Sequence, residues 1–73
     1  MKFQKGYNNT WTCKEEQKVW VIRKKAGEKG HFLSWQDLEA RKEYNAGWVA
    51  GNLTDAKREI AKTRQEWMEK GKI

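Results

Sequence analysis

The side chains that most often do chemistry are scarce here. The chain holds one histidine, His31, and one cysteine, Cys13. A zinc site needs about four nitrogen or sulfur ligands, so these two cannot build one. Cys13 stands beside Lys14, which would favour a thiolate, but a lone cysteine in this setting reads first as a small buried apolar group. His31, next to Phe32, reads as a packing or loop residue. Gly27 and Gly30 lack the Lys-Ser/Thr and helix start that a phosphate-cradling loop requires. The carboxylates fall where helix caps and surface pairs would use them. No catalytic constellation emerges, and the sequence predicts a protein that is not an enzyme and takes no metal or cofactor.

What remains is basic and aromatic. The first cluster is Arg23-Lys24-Lys25, with Lys29 close behind. Cations in the last turn of a helix complement its dipole, but three in a row exceed that need. The second is the amino-terminal arm, where Lys2, Phe3, Lys5 and Tyr7 interleave charge and rings. Such interleaving suits stacking on single-stranded bases, and equally strand addition to a protein edge. The third is Trp48, held between Gly47 and Gly51. It is expected to plug the core between two helices, and its residue type also suits an interface hot spot.

The elements that must position these groups fit in one small domain. Seventy-three residues, 37% hydrophobic and 36% charged, allow only a modest core. Five tryptophans concentrate its apolar surface in large pieces. One cysteine excludes a disulfide scaffold, and no stretch approaches the ~20 apolar residues of a spanning helix. The start, Met1-Lys2-Phe3-Gln4-Lys5, has no apolar run behind it, so no signal peptide and a cytoplasmic location are expected. The net charge of +6 is uneven: residues 1–31 carry eight basic and three acidic groups, residues 54–73 six and four. The positive field therefore sits in the amino-terminal half, which implies a partner of negative potential.

Read by periodicity, the chain predicts an all-α domain over residues 11–73, preceded by a basic aromatic arm over 1–10 that has room for one short strand in 2–7. Asn8-Asn9 reads as a turn. Helix one is expected near 13–26, with Thr12 and Glu15 as its capping box and Val19, Ile22 and Ala26 as its apolar face. Helix two is expected near 35–46, opened by Ser34 and Asp37 and ended by Asn45-Ala46-Gly47. Helix three is expected near 54–70, capped by Thr54. Its stripe of Leu53, Ala56, Ile60, Thr63 and Trp67 is the clearest amphipathic signal in the chain.

Trp11-Thr12 followed by Glu15-Glu16 and Val19, with Trp67 on the third helix, resembles the opening of Myb/SANT-type repeats. That resemblance implies a helix-turn-helix bundle. The chain departs from the pattern in the later placing of its glutamates, the longer loop before Trp35 and the extended third helix. Taken whole, the opening Met1-Lys2-Phe3-Gln4-Lys5-Gly6-Tyr7, the length, the charge and the tryptophan content resemble the small transcription regulators of lytic bacteriophages that bind host RNA polymerase. This implies inhibition of promoter initiation and antitermination, through contact with the two largest polymerase subunits near the RNA exit channel. The expected partner is thus an acidic protein surface, bound by a monomer, with nucleic acid secondary and no membrane. The alternative expectation is a duplex-DNA reader using helix 54–70. Its Lys57, Arg58, Lys62 and Arg64 are diluted by Asp55, Glu59, Glu66 and Glu69, which leaves little surplus for phosphates. The residues assigned to the partner are Lys2, Phe3, Lys5, Tyr7, Arg23, Lys24, Lys25 and Trp48.

Overall fold

The computed structural model describes residues 1–71. It holds five strands and one helix: β1 (Gln4–Lys5), β2 (Thr10–Glu15), β3 (Lys18–Arg23), β4 (His31–Asp37), β5 (Lys42–Val49) and α1 (Leu53–Glu69). Each strand pairs antiparallel with the next, giving one sheet in the order β1-β2-β3-β4-β5. The all-α three-helix expectation, and with it the helix-turn-helix and SANT-like architecture, is overturned.

The physical reason lies in side-chain period. Val19 and Ile22 share a face only on a helix; on β3 they point to opposite sides, because successive strand residues alternate. The run Lys18-Val19-Trp20-Val21-Ile22-Arg23 is β-branched and aromatic, which suits a pleated surface. Thr12 lies in the middle of β2 and Ser34 in the middle of β4, so neither opens a helix. Two tight hairpins join the strands. Glu15 pairs with Lys18, leaving Glu16-Gln17 as the loop, and Glu16 takes φ 55°. Asp37 pairs with Lys42 across a four-residue loop. There the Asp37 carboxylate accepts from the amides of Glu39 and Ala40 at 3.1 and 3.0 Å, and Arg41 takes φ 56°. These loops contain neither glycine nor proline, the usual markers of a turn.

Helix α1 matches the expected third helix, and its stripe is realised: Ala56 and Ile60 are fully buried, with Leu53 and Trp67 packed beside them. Its cap is Asn52, not Thr54. Asn52 accepts from the Asp55 amide at 2.9 Å, and the Asp55 carboxylate accepts from the Asn52 amide at 3.3 Å.

The helix covers one face of the sheet, and alternation supplies that face with Cys13, Trp20, Ile22, Leu33 and Trp35. Tryptophans form its centre. Trp20 stacks on Trp35 with centroids 5.5 Å apart, Trp35 stacks on Tyr44 at 4.4 Å, and Trp67 meets Trp35 edge-on at 5.7 Å. Cys13 is buried in this core, as expected of a small apolar group. The arm is part of the fold: Gln4 and Lys5 pair with Thr12 and Trp11, and Phe3 packs against the core.

Candidate functional site

The other face of the sheet carries no helix. Pairing puts Thr12, Val21, Ser34 and Asn45 in one row across four strands, and Thr10, Arg23, Phe32 and Trp48 in the next. Val21 is only 2% exposed, shielded by its neighbours. Phe32 and Trp48 remain 46% and 45% exposed, with ring centroids 4.5 Å apart. Two large half-exposed rings in contact on an uncovered sheet are unusual where burial drives folding, and such patches mark binding surfaces.

A β-bulge puts Trp48 there. Ser34 faces Asn45, yet Leu33 faces Gly47, so Ala46 is the extra residue on β5. Without that insertion, Trp48 would point toward the helix; with it, the ring turns outward onto Phe32. Gly47 takes φ 117° at the bulge, and its amide donates to Asn45 Oδ1 at 2.8 Å. Gly30 completes the seat, since a Cβ there would stand 2.6 Å from Trp48 Cζ2 and 2.6 Å from the Val49 carbonyl oxygen. Trp48 therefore does not plug a gap between helices; it is an outward residue near the end of β5.

Beside Phe32 lies a hollow of about 540 Å³ bordered by Arg23, Ser34, Glu43 and Asn45. Arg23 Nη1 lies 3.2 Å from Glu43 Oε1, so this carboxylate is partly neutralised in place.

The strand order gathers a second feature at one end of the sheet. The ends of β1, β3 and β5 meet the starts of β2 and β4 there. Tyr7, 93% exposed, sits on the β1–β2 turn, where Asn8 and Asn9 take φ 55° and 52°. The Lys24 amide donates to the Asn9 carbonyl oxygen at 3.0 Å, tying this turn to the end of β3. Lys5 Nζ lies 6.0 Å from the Trp11 ring centroid. Lys25 pairs with Glu28 at 3.7 Å, and Lys24 and Lys29 are exposed on the same loop. His31 is buried beneath it, its Nδ1 donating to the Gly51 carbonyl oxygen at 3.1 Å. Its place is structural, joining β4 to the segment that enters the helix.

Six of the eight residues assigned to a partner thus converge: Lys5, Tyr7, Arg23, Lys24, Lys25 and Trp48 all lie at or beside this end. They do so as loop and strand-end residues, since no helix one exists for Arg23-Lys24-Lys25 to terminate. Phe3 departs, because it is a core-facing residue and not a free anchor. Lys2 precedes β1 and lies farther toward the opposite end. Sequence reading missed Phe32, Ser34 and Asn45. Their signal was the alternation His31, Leu33, Trp35 against Phe32, Ser34, Gln36. Among the described residues no three His, Cys, Asp or Glu side chains are grouped to hold a metal ion, and no helix is long and apolar enough to cross a membrane. No protein-family model, curated protein or solved structure matches the chain.

Proposed function

We propose that the protein is a transcription regulator acting by protein contact, which docks its basic end on an acidic surface of bacterial RNA polymerase. In this reading it inhibits initiation at host promoters and promotes antitermination inside the infected cell. The observation that carries it is the convergence of Lys5, Arg23, Lys24, Lys25 and Lys29 with the exposed Tyr7 at one end of a rigid sheet. Glu28 is the one carboxylate within the loop that joins β3 to β4. Charges so placed steer encounter and set its salt dependence, and exposed aromatic rings supply anchors. The resemblance to polymerase-binding phage regulators names the partner.

The helix offers a poorer surface. Arg64 is engaged with Glu15 and Arg58 lies 3.6 Å from Asp55. The remaining cations alternate with Glu59, Glu66 and Glu69, and no preceding helix presents α1 to a DNA groove.

Transcription by purified bacterial polymerase tests the reading. Added protein should lower run-off product from a promoter when present before initiation, and raise readthrough of an intrinsic terminator when added to elongating complexes. Unchanged initiation and unchanged termination with folded protein would sink it.

A further inference from the structure

The uncovered face of the sheet has a chemistry of its own, apart from the charged end. Phe32 and Trp48 present half-exposed rings in contact. The hollow beside Phe32 is large enough to admit a planar heterocycle, at about 540 Å³. Its rim offers the Ser34 hydroxyl, the Arg23 guanidinium and the Asn45 amide. Asn45 Oδ1 already accepts from the Gly47 amide, so its NH₂ group is fixed toward its remaining partners. Lys14 and Lys24 stand exposed at the margins of this face, and Lys29 on the adjoining loop. Glu43 is the one carboxylate in the two central rows and the row beside them, and Arg23 holds it.

We propose that this face binds single-stranded nucleic acid, with one base stacked on Phe32 in the hollow, a second on Trp48, and Lys24 and Lys29 on the phosphates. Stacking needs an exposed ring face, which both side chains have, and tolerates any base. Bases splayed from a single strand also expose the polar edges that Ser34 and Asn45 can meet. A duplex does not fit as well. Five strands at roughly 4.8 Å spacing make a surface about 19 Å across, whereas a major groove about 12 Å wide admits a helix or a two-stranded ribbon. The proposal concerns the chain alone and does not depend on polymerase binding.

The test is titration of fluorescein-labelled oligonucleotides of about 12 residues into the isolated protein, read by anisotropy and by quenching of tryptophan fluorescence. Oligo-uridylate, oligo-thymidylate and a duplex of mixed sequence are compared. Both single strands should bind more tightly than the duplex, and the tighter of the two identifies the natural ligand chemistry. Phe32→Ala and Trp48→Ala should each weaken single-strand binding about tenfold or more, in line with the loss of one stacked base. Phe32→Tyr should retain it. Phe32→Leu keeps the bulk without the ring and should behave like the alanine variant, which separates stacking from folding. Lys24→Gln with Lys29→Gln should lower the slope of log affinity against log salt by about one. Equal affinity for duplex and single strand, or ring variants that bind like the parent, would overturn the assignment. Absence of oligonucleotide binding by the parent, together with loss of polymerase binding in the ring variants, would give this face to the protein partner and also overturn it.

Discussion

Arg64 on the helix grips Glu15 at the end of β2 with two parallel bonds, Nε to Oε1 at 2.6 Å and Nη2 to Oε2 at 2.9 Å. The pair spans 49 residues of sequence and fastens the carboxyl half of the helix to the β2–β3 hairpin. Two-pronged geometry lifts such a pair above an ordinary surface contact, while its side chains remain about one-third exposed, 28% and 34%. Partial exposure caps its worth. A double-mutant cycle with Glu15→Gln and Arg64→Met should give a coupling energy of about 1 kcal/mol, and either single variant should lower the melting temperature by roughly 4–8 °C. Coupling near zero in thermal or urea unfolding would mean that the helix is held by its apolar stripe alone.

The two aromatic residues of the amino-terminal segment have opposite roles. Phe3 packs against the core while Tyr7 stands almost wholly in water. Phe3→Ala should cost about 1–3 kcal/mol, below the range for a fully buried ring because Phe3 is only partly covered. Tyr7→Ala should leave stability within about 0.5 kcal/mol. Urea unfolding of the two variants side by side checks this, and equal small losses would return Phe3 to a free arm.

The bulge at Ala46-Gly47 aims Trp48, and Gly47 at φ 117° is its pivot. A Cβ at Gly47 meets nothing within 4 Å, so Gly47→Ala adds backbone strain without a clash. The strain should cost about 1–3 kcal/mol. If β5 relieves it by losing the bulge, Trp48 leaves the Phe32 ring and its fluorescence emission shifts. An unchanged melting point and unchanged emission would contradict the bulge as the device that orients Trp48.

The sequence displayed some of this plainly and hid the rest. The stripe from Leu53 to Trp67 has a pure helical period over several turns, so α1 was legible to within a residue of its ends. The strand in the arm and the Asn8-Asn9 turn were legible too, through alternation and two residues that tolerate positive φ. The sheet was not. Val19, Ile22 and Ala26 happen to fall at helical spacing, and Thr12…Glu15 and Ser34…Asp37 imitate capping boxes. The hairpin loops place Glu16 and Arg41 in positive φ, where glycine or asparagine usually signals a turn. Five tryptophans blurred the alternation further, since an outward Trp48 and an inward Trp35 look alike in a sequence. The basic cluster was visible as charge. Its partners in space were not, because only the meander order brings the β1–β2 turn beside the β3–β4 loop.

Binding of bacterial RNA polymerase core enzyme to immobilised protein, followed by interferometry across about 50–300 mM salt, is the most direct measurement of the proposed docking. Charge reversal of Lys24 and Lys25 to glutamate should weaken binding about tenfold or more, mainly through slower association, and flatten its salt dependence. Reversal of Lys57 and Arg58, on the helix, should change affinity less than about twofold. Parent protein that fails to bind polymerase, or a Lys24-Lys25 reversal that binds like the parent while the helix reversal does not, would contradict the account.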